Sequence, residues 1–504
     1  MKRVTLKSSL RALATSALFG LGSLSQLSCY ARSDDPVDST QTFRVRITKV
    51  NGIAPPSVGE PLPPNIGTTD EQWEVEIEAV GPDGGVATDF VGFVRLSVEP
   101  GAVVEVVNAG DGENFGKNLR LAAGKASASV KVTAVYGPAR LWVEDLGYVK
   151  APEGKTPACA NGGNDDPDDD VLVDFPSDPG CAFADDDSEI AGTFAAGVSP
   201  PVAYELPSVQ DIQGNGSTTP FPYESMTANT SGEHFLVVTR ISKDGFYVTD
   251  LSGQAVGFNH MFAFNFSTPQ GMRVCDRVTY LSGTVSEFFG FTEMNFPSFD
   301  VDPLFEGEEE DCPVPEPAVL EPAVISAPLE MERLESGLVR IEGYHVSQNM
   351  GPALAFNNVF KEDQTNCDFN GDGKIDFESD AEGTCGNACS DDDECTEWTG
   401  YISRGNYKVA KTTTDDMGNS VSSVIQVQTD GAPEFNPVAN RGLELSAVTG
   451  TLRNFSGGSL NWTVEARCPD DVVCSELGCV DEILGPKKAC VSLRTEDDND
   501  EGSN

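Results

Sequence analysis

Apolar and polar residues alternate in short runs along most of the chain. Phe43-Arg44-Val45-Arg46-Ile47, Trp73-Glu74-Val75-Glu76-Ile77, Val94-Arg95-Leu96-Ser97-Val98, Ala128-Ser129-Val130-Lys131-Val132 and Ala139-Arg140-Leu141-Trp142-Val143 mostly place apolar side chains on one face and polar ones on the other. A period of two over five residues predicts half-buried strands, and about seven fit between 43 and 150, enough for a β-sandwich. A second series is richer in Val, Phe, Tyr and Thr. Phe235-Leu236-Val237-Val238, Gly245-Phe246-Tyr247-Val248-Thr249-Asp250 and Gly283-Thr284-Val285-Ser286-Glu287-Phe288-Phe289-Gly290-Phe291 are separated by Asp244-Gly245, Ser252-Gly253 and Pro269-Gln270-Gly271. Turn residues at that spacing predict a small antiparallel barrel over 200–304. Tyr407-Lys408-Val409, Val424-Ile425-Gln426-Val427 and Trp462-Thr463-Val464-Glu465 predict another over 323–467. Gly450-Thr451-Leu452-Arg453-Asn454-Phe455-Ser456-Gly457 echoes Gly283 to Gly290, so the two read as copies of one fold. The expected fold class is all-β and multidomain.

Between these blocks the composition shifts. Residues 157–189 and 361–395 are acidic and bracketed by cysteines, residues 305–322 alternate Pro and Glu as an extended linker, 468–490 reads as a cysteine-rich cap, and 491–504 as an acidic tail. Asp166, Asp168, Asp170 and Asp174 recur at offsets 1, 3, 5 and 9, and Asp368, Asn370, Asp372 and Asp376 repeat them with Gly373 at offset 6 and Ile375 at offset 8. Asp174-Phe175-Pro176-Ser177-Asp178 also matches Asp376-Phe377-Glu378-Ser379-Asp380.

Charge and cysteine usage narrow the setting. The formal net charge is −47, a field that repels phosphate backbones and attracts divalent cations. Residues 1–28 carry Lys2, Arg3, Lys7 and Arg11 ahead of an apolar run too short to span a bilayer, which predicts an export signal. Leu27-Ser28-Cys29 resembles a bacterial lipobox, with Gln26 where the usual Leu stands. That resemblance implies lipidation of Cys29, a tether over 29–42, and an outer-membrane or cell-surface location. Cleavage after Ala31 is the alternative, giving a secreted or periplasmic protein. The twelve cysteines other than Cys29 form local groups, Cys159/Cys181, Cys275/Cys312, Cys367/Cys385/Cys389/Cys395 and Cys468/Cys474/Cys479/Cys490. In an exported chain such groups predict disulfides, with pairing expected inside each group.

Three resemblances add expectations. The Ile212-Gln213-Gly214 start, the Gly245-Phe246-Tyr247-x-x-Asp250 strand and the Gly283-x-Val285-x-Glu287-Phe288-x-Gly290 exit resemble the OB-fold modules beside the catalytic domain of bacterial extracellular nucleases. Glu332-Arg333-x-Glu335-x-x-Leu338-Val339-Arg340 resembles the second module of that pair. The resemblance implies a binding module and not the activity, because those families place catalysis in a separate domain. In OB folds ligands cross the second and third strands on exposed aromatics, which makes Tyr247, Phe288, Phe289 and Phe291 the candidates. Residues 43–150 resemble a bacterial immunoglobulin-like domain, with the content of a spacer or adhesive module. The loop from Asp368 resembles the calcium loop of EF-hand and dockerin sequences, implying structural calcium on Asp368, Asn370, Asp372, Lys374, Asp376, Ser379 and Asp380; it departs where Ser379 stands for an acidic residue. The first loop, with Asp166, Asp168, Asp170, Asp174 and Asp178, departs further because Val171 replaces the turn glycine.

His234, His260 and His345 lie in no catalytic motif, and no nucleophile elbow, zincin motif or phosphate-binding loop is present. The expectation is a non-catalytic envelope lipoprotein that binds an unknown extracellular or envelope ligand or acts as a scaffold. The alternatives are an accessory to an extracellular nuclease or a binder of extracellular DNA, which the charge disfavours, and more remotely a hydrolase with a metal site in the aspartate loops.

Overall fold

The computed structural model describes residues 41–66, 69–109, 116–165, 171–302, 312–347, 401, 405–414, 418, 420–454, 462–475 and 490. The described structure is mostly β and divides into two compact units, residues 1–204 and 205–504.

The first unit packs two sheets. One has the order β1 (Thr42–Val50), β2 (Glu71–Val80), β6 (Lys125–Thr133), β4 (Ala102–Ala109); the other has β5 (Asn118–Leu121), β3 (Gly92–Glu99), β7 (Pro138–Asp145), β8 (Gly197–Val198), with β9 (Val202–Ala203) also pairing with β7. The predicted alternation sets the burial: along β1, Phe43, Val45 and Ile47 face inward while Arg44 and Arg46 face water. Trp73, Val75 and Ile77 from β2 meet Leu96, Leu119, Leu141 and Val143 from the other sheet in one core. The Trp73 indole N–H donates to the Tyr204 hydroxyl (3.2 Å), which donates to Glu71 Oε2 (2.6 Å), so the buried indole donor is satisfied. The acidic stretch after β7 is an excursion from this unit. It is closed by the Cys159–Cys181 disulfide, and the chain then returns to add β8 and β9 beside β7.

The second unit contains two barrels of the same closed order. In the first, β11 (Leu236–Ser242), β12 (Gly245–Asp250), β13 (His260–Phe264), β15 (Thr292–Asp302) and β14 (Arg277–Glu287) form a ring completed by β14 against β11, with β10 (Ser225–Thr227) outside it. In the second, β17 (Leu338–Val346), β18 (Asn406–Thr414), β19 (Ser420–Gln428), β21 (Trp462–Glu465) and β20 (Glu444–Asn454) close through β20 against β17. Each ring joins its third and fifth strands in parallel, β13 with β15 and β19 with β21, and the other ring pairs are antiparallel. Closure removes the free edges that open sheets must protect.

Some segments differ from the expected linkers and strands. The Ile212-Gln213-Gly214 motif ends a short helix, α1 (Val209–Gln213). Ser208 caps α1 by accepting from the Asp211 N–H (3.1 Å), and Asp211 accepts from the Ser208 N–H (2.9 Å). The end of the expected Pro/Glu linker enters the second barrel: β16 (Ala318–Val319) pairs with β17, Leu320 is buried, and α2 (Pro322–Ile325) and α3 (Pro328–Glu332) follow. The expected cap contributes β22 (Val472–Cys474) to β20. The Cys275–Cys312 and Cys468–Cys490 disulfides form within their predicted groups. The group at 367–395 lies outside the described residues.

Candidate functional site

The face expected to carry ligand in the first barrel is filled by the second barrel. Every residue of β12 is buried, because Phe246 and Val248 face the barrel interior while Tyr247 and Thr249 face the neighbouring elements. Tyr247, Phe262 and Phe291 form an aromatic cluster, and the Arg453 guanidinium of β20 lies over Phe262 (5.1 Å) and Phe291 (5.2 Å). Arg240 of β11 ion-pairs with Glu465 of β21 and donates to Thr451 Oγ1 (2.6 Å), while the Tyr247 hydroxyl donates to Glu465 Oε2 (3.2 Å). Arg453 also approaches Glu465 Oε1 (3.7 Å) and Asp244 (3.7 Å). Burial, and next the Glu465 charge, hold the Tyr247 hydroxyl well above its ordinary titration range. Two arginines facing a nearly water-free carboxylate require every partner, so this junction locks the barrels as one body. Tyr247 and Phe291, expected at a ligand surface, are therefore interface residues. Gly337 completes the fit: a Cβ there would stand 2.6 Å from the His260 ring.

Phe288 and Phe289 are exposed, as the ligand reading needs, and pack edge to face at the tip between β14 and β15. Phe266 and Phe296 form a second exposed aromatic pair (5.6 Å), continuous with Phe264. The sequence pattern does not mark its members, because Phe266 lies beyond the end of β13 and Phe296, beside Pro297 in β15, falls in none of the alternating runs.

The second barrel keeps its second and third strands open. Lys408 points outward from β18, as do Val424 and Gln426 from β19; with Trp462 of β21 and Ile325 and Pro328 of the α2–α3 segment they line a cleft of about 310 Å³. Val424 is 48% exposed, whereas Trp462 is 5% exposed. The Trp462 Nε1–H has no hydrogen-bond partner among the described residues. An indole donor withheld from water costs about 1–3 kcal/mol unless something accepts from it. The cleft thus combines apolar walls, an ammonium group and an unused donor, which suits a small molecule with an apolar body and an acceptor or anionic group.

The histidines do not assemble catalytic chemistry among the described residues. His234, Asp250 and Ser252 come together, but Asp250 Oδ2 (2.7 Å) and Ser252 Oγ (3.2 Å) both approach Nδ1 of His234, and the serine hydroxyl also donates to Asp250 Oδ1 (2.7 Å). A proton relay needs the nucleophile and the carboxylate on opposite ring nitrogens, so this is a turn contact. His260 is buried, with Nδ1 against Thr249 Oγ1 (2.8 Å), and burial pushes its pKa down to about 4. His345 faces Glu444 on the surface (3.8 Å).

Of the expected metal ligands, Asp174 uses its carboxylate on the N–H groups of Asn161 (3.0 Å) and Gly162 (2.8 Å), and Asp178 is buried. Asp166, Asp168 and Asp170, the whole set from Asp368 to Asp380, and Cys29 lie outside the described residues. Among the described residues no helix is long and apolar enough to cross a membrane. No family model, curated protein or solved structure matches the chain.

Proposed function

We propose that the chain is a non-catalytic binding and scaffold protein of the bacterial envelope, anchored through a lipid on Cys29, in which the second barrel holds the ligand. The observation that carries the binding reading is the open cleft with Lys408 at its wall and the Trp462 donor that has no partner among the described residues. Two closed five-stranded barrels fit the OB fold, whose ligands use the second and third strands; in this pair the first barrel spends that face on its neighbour and the second keeps it open. The sandwich fits the immunoglobulin-like reading, in the role of a spacer between anchor and barrels. Disulfides, and calcium at the Asp368 loop, supply rigidity in a chain whose acidic surface otherwise repels itself.

The test is calorimetric titration of the full chain with a medium-chain fatty acid, which has the apolar body and anionic group that the cleft suits, and, separately, with a single-stranded oligonucleotide. The fatty acid binds the wild type, and Val424→Glu, which fills the cleft mouth with a charge, abolishes binding without lowering the melting temperature. Salt-sensitive oligonucleotide binding would replace this reading with the nucleic-acid one. Binding that Val424→Glu leaves intact would remove the cleft from the account.

A further inference from the structure

The acidic excursion of the first unit spends most of its carboxylates on its own backbone. Asp186 is fully buried and accepts from the N–H groups of Val149 (2.9 Å), Ser188 (3.1 Å) and Ala182 (3.2 Å). Burial raises its pKa, and those three bonds work against the rise by favouring the charged form. Asp174 caps the turn at Asn161 and Gly162 as described above.

Asp178 and Glu189 do not fit this pattern. Each is 2% exposed. Asp178 Oδ1 accepts from the Gly180 N–H (2.6 Å), and Glu189 Oε2 accepts from the Asp165 N–H. The other oxygen of each, Asp178 Oδ2 and Glu189 Oε1, is buried with no hydrogen-bond partner among the described residues. An oxygen of each carboxylate and Cys181 Sγ lie within 4.8 Å of one another. Two carboxylates this close and this dry repel each other, and neither is ion-paired to a lysine or arginine among the described residues. Gly180 lets the two segments of the excursion approach so closely that a Cβ there would stand 1.8 Å from the Glu189 carbonyl oxygen, which keeps the two carboxylates side by side.

We infer that Asp178 and Glu189 form a site for a hard divalent cation of the calcium class. The two carboxylates supply part of the roughly six to eight oxygens such an ion takes, the rest falling to backbone carbonyls and water, and the neighbouring sulfur is committed to the Cys159–Cys181 disulfide, so no thiolate is offered to a softer metal. Asp178 is one of the ligands expected of the first acidic loop, whereas Glu189 stands outside the alternating aspartate series and is a donor that the calcium resemblance does not supply. A cation there ties the segment before the disulfide to the segment that leads back to β8, fixing the return of the chain onto the sandwich. The inference is independent of the cleft; with the proposed Asp368 loop it shares the ion and one position of the internal repeat, Asp178 matching Asp380.

Calcium titration of the full, oxidised chain by calorimetry tests it, with Asp178→Asn/Glu189→Gln compared with wild type, with Asp168→Asn/Asp170→Asn, which leaves the proposed site intact, and with Asp368→Asn/Asp372→Asn. The expected result is that the Asp178/Glu189 variant loses one calcium from the stoichiometry while the Asp368 variant retains that site. Thermal unfolding separates a lost ligand from a lost fold. In chelator the Asp178/Glu189 variant melts at or above the wild-type temperature because the repulsion is gone, and in calcium the wild-type first unit is raised while the variant's is not. A stoichiometry unchanged by Asp178→Asn/Glu189→Gln overturns the site. If only the Asp368 variant loses calcium, this site falls and the loop stands; if no form binds calcium, both fall.

Discussion

Replacing Arg240 with methionine isolates the junction between the two barrels. The substitution keeps much of the side chain's apolar volume but removes the guanidinium that pairs with Glu465 and donates to Thr451. Glu465, 2% exposed, keeps the Tyr247 hydroxyl at 3.2 Å and Arg453 at 3.7 Å. Removing one partner of a buried pair costs about 3–5 kcal/mol, and the retained Arg453 places this case near the lower end, about 3 kcal/mol. For a unit of this size each kcal/mol moves the melting temperature by about 2–3 °C, so the second unit's transition drops by roughly 6–9 °C. Glu465→Gln is at least as damaging, because it leaves two arginines facing each other. The double variant Arg240→Met/Glu465→Met loses less than the sum of the singles, since the charges leave together. Differential scanning calorimetry at fixed calcium reads all three. A drop below about 2 °C for Arg240→Met, or strict additivity in the double variant, would refute the claim that the barrels are locked through this pair; an outward residue on an independent barrel shifts stability by only about ±0.5 kcal/mol.

Further outcomes follow from the same groups. Burial lifts Glu293 and Glu332 from 4.5 to about 7, and burial together with the Glu332 charge lifts Glu335 well above 4.5. Carboxyls raised in the fold contribute stability that is complete below pH 4.5 and is lost as pH rises through their folded values, so the second unit melts higher at pH 5 than at pH 8; Glu332→Gln raises the melting temperature at pH 8 and changes little at pH 5. His260 works in the opposite direction, contributing stability above pH 6.5 that is lost as pH falls toward 4, so the gain on acidification turns over below about pH 5. Reducing Cys159–Cys181, which closes a separation of 22 residues, costs the first unit about 3 kcal/mol and weakens calcium binding at Asp178 and Glu189, measured by unfolding with and without reductant. Phe266→Ala/Phe296→Ala changes stability by less than about 0.5 kcal/mol, and a larger loss by denaturant titration would show that this aromatic pair is structural.

Much of the strand pattern was legible, because one buried face writes a period of two. The runs beginning at Phe43, Trp73, Val94 and Ala139 fall in β1, β2, β3 and β7, and those beginning at Tyr407, Val424 and Trp462 fall in β18, β19 and β21. The helix α1 was also written, in Ser208-x-x-Asp211 as a capping pair, although the apolar Val209 and Ile212 disguise it as strand. The junction was not legible. Arg240 and Glu465 are 225 residues apart, and each occupies an alternating position indistinguishable from a solvent-facing one. Tyr247 was expected outside for the same reason: the pattern assigns it to the face opposite Phe246, and only the second barrel makes that face interior. In the acidic excursion the regular aspartate spacing drew attention to Asp174, which caps a turn, and away from Glu189, whose meaning depends on the chain folding back onto Asp178.

Hydrogen exchange of the full chain with and without a medium-chain fatty acid tests the central claim that the second barrel's open face holds the ligand. The account predicts added protection confined to β18, β19, β21 and the α2–α3 segment, absent in Val424→Glu. Protection centred on Phe266 and Phe296 or on Phe288 and Phe289, or none anywhere, would contradict it.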